Sequence, residues 1–240
     1  MSARHAALLV AICLTTASVR AGTFVQMDTS IGSMVFELYN TEKPQTTQLF
    51  LNWLSAGYYD GTYVHRATNN YLAQAGRYGV VDTGTFGVQN IELPIAPYGS
   101  VPNELLSNFI PNTYGTISMV PWTPVGSDTY VTSGFIFNLA DNPNLDSTSA
   151  GGGFPVFGHL VSGGGVFALL NPTDNNPALR LTNFSVTLSE LPVLASAGSS
   201  ITFDDLIYLN MHVVPEPGTV ALLGIGAVLG VVLRKGRLKS

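Results

Sequence analysis

The stretch YYDGTYVHRATNNYLAQAG, residues 58–76, sets His65 and Arg66 side by side in an aromatic, strand-like run, with Gln74 on the same stretch. A guanidinium is a permanent cation that donates hydrogen bonds through a planar fork. Burying one is costly unless a carboxylate or a ligand meets it. Either a fold partner such as Asp60 or Glu104 satisfies Arg66, or a substrate does. Other chemistry is sparse. Cys13, the single cysteine, lies in an apolar leader, so no thiol remains downstream of residue 21. His65, His159 and His212 lack metal-ligand spacing. Asp204 and Asp205 read as a solvated turn. No metal and no cofactor are expected.

The elements that must position these residues are mostly strands. FVQMDTSIGSMVFELY reads as a hairpin, with Val25 and Met27 on one face of the first strand and Met34, Phe36 and Leu38 on one face of the second. KPQTTQLFLNWLSAG predicts a helix. Pro44 suits its first turn, Phe50, Trp53 and Leu54 form its apolar stripe, and Gly57 suits its end. Further strands are expected in TYVHRAT, GTISMVPW, YVTSGFIFNLA, FPVFGHLVSG, TNFSVTLSEL and DDLIYLNMHVV. In YVTSGFIFNLA, Phe135 and Phe137 share a face opposite Ile136. GGGVFALL can form only a short helix, weakened by its glycines.

Both ends stand apart from this pattern. Residues 1–21 read as a secretory signal, with Arg4 and His5 before AALLVAICLTTA and small residues before a cut after Ala21. Residues 214–240 carry a Pro-Glu-Pro turn, an apolar run at 219–233 and a basic end at Arg234, Lys235, Arg237 and Lys239. As a helix that run is about 22 Å long, short for a bilayer core of about 30 Å. The arrangement resembles the PEP-CTERM sorting signal. That resemblance implies export, a transient membrane anchor through the C-terminal segment, processing by an exosortase-type enzyme, and release to the cell surface or matrix. Between the ends, residues 22–213 hold only four basic residues, Lys43, Arg66, Arg77 and Arg180, against fourteen acidic ones. No basic face exists for nucleic acid. The length suits one domain, and the Gly, Thr, Val, Phe and Tyr content favours an all-β fold.

TSIGSMVFELY, KPQTTQLFLNWLSAGYYDGTYVHR, YLAQAG, GTISM, FNLADNPNLD and FPVFGHLVSG occur in an order that resembles the cyclophilins, peptidyl-prolyl cis-trans isomerases. The likeness spans residues 24–165 best, and residues 172–213 form a divergent extension. The resemblance implies a closed eight-stranded antiparallel β-barrel with two capping helices and a substrate groove on its outside. It assigns the catalytic role to Arg66, oriented with the substrate by Gln74. It lines a pocket for the proline ring with Tyr71, Leu72, Phe135, Leu145 and Phe154. The expected partners are proline-containing peptides and exported proteins.

Departures from the family pattern bear on that expectation. Gly134 replaces a substrate-binding glutamine, Ile136 a pocket phenylalanine and Asn144 an aromatic residue. Val64 stands where an aromatic precedes the His-Arg pair, Ala75 replaces a glycine, and Trp122 is expected to narrow the adjoining pocket. Two functions are therefore weighed. One is catalysis of X-Pro isomerisation in exported proteins. The other is a weak or inactive cyclophilin-like module that binds proline-containing segments in the matrix.

Overall fold

Alternation of apolar and polar residues builds the first hairpin. In β1 (Thr23–Thr29) and β2 (Gly32–Leu38) the side chains of Val25, Met27, Met34 and Phe36 are fully buried and Leu38 nearly so. The two strands pair in register from Thr23↔Leu38 to Thr29↔Gly32. The structure, a computed structural model, describes residues 22–82, 88–92, 99–122, 128–147, 152–173, 176–183, 190–198 and 201–215. The leader at 1–21 and the apolar run at 219–233 lie outside these residues. Among the described residues no helix is long and apolar enough to cross a membrane.

Helix α1 (Pro44–Ser55) follows, with Pro at its start. Lys43, the residue before it, supplies no side-chain cap. Glu104 does the work from a distant loop: Oε2 accepts from the Thr46 N–H at 2.7 Å and Oε1 from the Gln45 N–H at 3.4 Å. A carboxylate suits the positive end of the helix dipole. The Lys43 ammonium, fully buried, donates to the carbonyls of Glu104, Leu105 and Ser107, which ties the loop to the helix. Glu104 is thus committed here, and it is not the partner of Arg66. Leu49, Phe50 and Trp53 bury the inner stripe of α1, and Leu54 packs against it.

The remaining strands are β3 (Thr62–Tyr63), β4 (Arg66–Thr68), β5 (Leu72–Ala75), β6 (Tyr78–Asp82), β7 (Val88–Glu92), β8 (Val101–Pro102), β9 (Thr116–Trp122), β10 (Tyr130–Asn138), β11 (Val156–Ser162), β12 (Leu179–Thr182), β13 (Leu191–Leu194) and β14 (Tyr208–Val214). A short helix α2 (Gly164–Leu169) follows β11. Among the described residues twelve strands make one curled antiparallel sheet in the order β4-β5-β10-β9-β11-β2-β1-β14-β3-β6-β7, with β8 beside β10. β12 and β13 form a separate two-stranded ribbon. Of the strand expected at TNFSVTLSEL, residues 184–189 lie outside the described residues.

The expected closed eight-stranded barrel is corrected in count and in path. The extra strands have identifiable sources. Tyr78–Asp82 and Val88–Glu92 add the antiparallel pair β6–β7, and Val101–Pro102 adds β8. The run 62–68 is split in two because Val64 and His65 change partners. The Val64 N–H donates to the Ile207 carbonyl and the His65 N–H to the Gln74 carbonyl. β3 therefore pairs with β14 and β4 with β5.

The core fills the concave side of the sheet. Phe50 lies at its centre, with ring centroids 5.1 Å from Tyr59, 5.6 Å from Phe135 and 5.1 Å from Phe157. Each fully buried large side chain contributes about 1.5–3 kcal/mol. Edge-on aromatic pairs add about 0.5–1.5 kcal/mol each.

Candidate active site

Pleating places the site on the outer face of β4, β5, β10 and β9. Directly paired residues in an antiparallel ladder share a face, and residues two apart along a strand share it too. The register runs Arg66↔Gln74, Gln74↔Ile136 and Ile136↔Ser118. Thr68, Leu72 and Asn138 belong to the same face, while Ala67, Ala73 and Ala75 face the core, fully buried. Small residues on the inner side let the three strands sit close against Phe135 and Phe137. Arg66 consequently emerges with its side chain 46% exposed beside Gln74, which is half-buried.

An apolar cluster distinct from the core occupies this outer face. Leu72, Ile136 and Leu145 are buried together, and Tyr71, Val120 and Phe154 pack against them. Four of the five residues expected to line the proline pocket, Tyr71, Leu72, Leu145 and Phe154, are brought together here. Phe135 is not, which corrects its assignment. It pairs with Ala75 and Met119 on the inner side, is 0% exposed, and packs edge-on against Phe50, Tyr59 and Phe137. Ile136 takes the place in the cluster. Parity along β10 carries that signal, since Gln74 and Ile136 are cross-strand partners.

A buried polar network holds this cluster in shape. Asn112, 1% exposed, receives hydrogen bonds on Oδ1 from Ser118 Oγ at 2.6 Å and from Asn138 Nδ2 at 3.0 Å. Its Nδ2 donates to Asp146 Oδ1 at 2.7 Å and to the Phe154 carbonyl at 2.9 Å. Asn142 Nδ2 donates to Asn138 Oδ1 and to the Tyr71 carbonyl. Asn144 Nδ2 reaches the Tyr71 hydroxyl at 2.7 Å. Tyr71, Leu145 and Phe154 are therefore fixed by backbone and amide contacts rather than by apolar packing alone. Asn144, which stands in place of an aromatic, holds the Tyr71 hydroxyl.

Arg66 does have a carboxylate partner, though neither Asp60 nor Glu104. Its Nε donates to Glu190 Oε2 at 2.7 Å, with Glu190 35% exposed. An ion pair so open to water is worth about 0–1 kcal/mol. Trp122 is 45% exposed and stands across from Tyr130. Among the described residues no three of His, Cys, Asp and Glu gather as a metal site would require.

His65, next to Arg66, faces away from this surface. It is 4% exposed, with its ring 4.8 Å from that of Tyr78. Burial, and next the charge of Arg77, push its pKa down to about 3; a hydrogen bond with the Tyr63 backbone opposes this, and Arg66 adds a smaller push downward. The unfolded chain binds a proton near pH 6.5 that the folded chain refuses until about pH 3. Stability is thus complete above pH 6.5 and is lost as pH falls towards 3. The expected loss is about 1.4 kcal/mol per pH unit once the unfolded imidazole is protonated. Urea unfolding at pH 7, 6 and 5 checks this, and an unchanged free energy at pH 5 would show an imidazolium in the folded protein.

The pattern of the family described as cyclophilin type peptidyl-prolyl cis-trans isomerase/CLD matches residues 24–190, and that of the PEP-CTERM protein-sorting motif matches residues 213–237. The chain is 30% identical over 160 residues to a peptidyl-prolyl cis-trans isomerase of Acinetobacter baylyi, covering 67% of this chain and 78% of the relative. It is 30% identical over 168 residues to peptidyl-prolyl cis-trans isomerase A of Dickeya dadantii, covering 68% and 81%. A crystal structure of a Cryptosporidium parvum cyclophilin type peptidyl-prolyl cis-trans isomerase shares the fold, with a TM-score of 0.52 at 21% identity over 82% of this chain and 100% of the other.

Proposed function

Because this chain belongs to the cyclophilin-type peptidyl-prolyl cis-trans isomerases, we propose that Arg66 and the apolar cluster beside it carry out the isomerisation on X-Pro bonds of exported proteins. The observation that carries this reading is the cross-strand row Arg66–Gln74–Ile136 on an outward face, next to the cluster of Leu72, Ile136 and Leu145.

The amide before proline resists rotation with a barrier of about 18–20 kcal/mol, so the uncatalysed exchange takes about 10–100 s. In the twisted transition state the prolyl nitrogen loses conjugation, becomes pyramidal and gains basicity. A guanidinium donor placed at that nitrogen binds the twisted state better than the planar one, and such differential binding lowers a barrier. Leu72, Ile136, Leu145, Tyr71 and Phe154 grip the proline ring while the preceding residue rotates. Gln74, beside Arg66 in the ladder, orients the guanidinium or the peptide carbonyl. The chemistry needs no nucleophile.

Residues 62–68 are one run of chain, yet β3 pairs with β14 and β4 with β5. A run that serves both ends of the ladder β4-β5-β10-β9-β11-β2-β1-β14-β3 supports a barrel closed through Val64 and His65. The motif at 213–237 supports export with membrane anchoring by the tail and processing by an exosortase-type enzyme. That location makes secreted proline-containing proteins the substrates.

The test is isomerisation of a short X-Pro peptide, followed as exchange between its cis and trans NMR signals. The protein should raise the exchange rate well above that in buffer; a rate equal to buffer leaves only peptide binding. The pocket also admits a gain of function. A Cβ built at Gly134 meets Val120 at 3.6 Å and the Arg77 Cβ at 3.9 Å, both ordinary contacts. Gly134→Gln restores a side-chain amide at the groove, and one added hydrogen bond to the peptide should lower KM about threefold to tenfold. An unchanged or raised KM would show that this position does not meet the peptide.

A further inference from the structure

Glu190 joins the divergent extension to Arg66 across 124 residues of chain. Its carbonyl accepts from the Ala67 N–H at 2.9 Å, which fixes the residue alongside β4 just before β13 begins. Its carboxylate is fixed as well: Oε2 accepts from Arg66 Nε at 2.7 Å and from Thr68 Oγ1 at 3.1 Å. Arg66 and Thr68 are two apart on β4 and share its outward face. One oxygen held by two donors from one strand is a fixed point rather than a drifting counter-ion. The pair is open to solvent and adds little to stability. What it does change is the freedom of a long, half-exposed side chain.

We propose that Glu190 is a positioning residue for the isomerisation: it grips the Arg66 guanidinium through Nε and leaves the terminal nitrogens to the peptide. The proposal rests on the reading of Arg66 as the group that acts on the prolyl amide. Planarity makes the grip effective, because fixing Nε fixes the plane of the whole fork. Thr68 holds the carboxylate in turn. The extension thereby becomes part of the catalytic apparatus, and a chain ending before it would carry a looser arginine.

The experiment uses the full-length protein and an X-Pro peptide. In Glu190→Ala, kcat should fall about tenfold with KM within about twofold, as expected for a misaimed catalytic group. Glu190→Gln keeps an acceptor for Nε and should recover kcat to within about twofold of wild type. The NMR signal of the Arg66 Nε–H should be sharp in wild type and Glu190→Gln and broadened in Glu190→Ala, while the unfolding midpoint stays within about 2 °C. Should Glu190→Ala fail to fold, Thr68→Val takes its place, with an expected kcat loss of about twofold to threefold. A kcat that is unchanged or raised in Glu190→Ala, a glutamine variant as slow as the alanine one, or an unaltered Nε–H signal overturns the proposal. Arg66→Ala separates the two layers. If it too leaves the rate intact, the reading of Arg66 fails; if it alone abolishes the rate, only the role of Glu190 fails.

Discussion

Replacing Arg66 by alanine should lower kcat/KM for an X-Pro peptide by about 10²–10³, the usual cost of removing one donor aimed at developing charge. The loss should lie mainly in kcat. In the proposed mode the proline ring is gripped by the cluster of Leu72, Ile136 and Leu145, which the substitution does not touch, so ground-state binding should survive. The fold should survive as well, because Arg66 is 46% exposed and its pair with Glu190 is open to water. Arg66→Lys should recover little of the rate, since an ammonium lacks the fork that can face Glu190 and a peptide at once. Steady-state rates over a range of peptide concentrations separate kcat from KM. A rate within threefold of wild type would remove the guanidinium from the mechanism.

The second large effect is on stability. In Asn112→Ala the buried Ser118 and Asn138 lose an acceptor, and Asp146 and the Phe154 carbonyl lose a donor. Each buried polar group left unmet costs about 1–3 kcal/mol, and the neighbours of Asn112 also bond to one another, so about 3–4 kcal/mol is expected. The unfolding midpoint should drop by about 10 °C for a domain of this size. At temperatures where the variant is folded, KM should rise more than kcat falls, because Leu145 and Phe154 are no longer fixed against Ile136. Denaturant unfolding and peptide kinetics on one preparation test both halves. A cost below about 1 kcal/mol would mean that water fills the gap.

Local signals carried much of this architecture. Alternation alone gives the β1–β2 hairpin, and Pro44 with the Phe50–Trp53–Leu54 stripe gives α1. Motif and order point to Arg66, Gln74 and Leu72, and the structure places Arg66 and Gln74 opposite one another, with Leu72 on the same face. Motif order alone points to Phe135 as a pocket wall, but the pleat turns it into the core. Parity with Phe137, already visible in the sequence, sends it inward and Ile136 outward. Asn112 gave no signal, since an asparagine in PNTYG reads as a turn residue and nothing local predicts four side-chain bonds. Glu190 was invisible for a different reason. Its contact with Arg66 depends on where an extension folds back, and that follows from tertiary pairing rather than from spacing along the chain. The hairpin β6–β7 was likewise missed, because its strands YGVVD and VQNIE are only five residues each and neither alternates apolar with polar residues.

β1 has two neighbours, and they reach it at very different times. β2 follows almost at once, whereas β14 contributes the six register pairs from Phe24↔Val214 to Thr29↔Leu209 from the far end of the domain. A growing chain therefore displays a bare strand edge on its opening segment for nearly the whole of synthesis, an invitation to mispairing. The seam can be stitched only when the last ladder strand emerges, and its final two residues already belong to the sorting motif that begins at residue 213. Any enzyme that trims the tail must cut beyond Val214, or it would pull out the thread that finishes the garment.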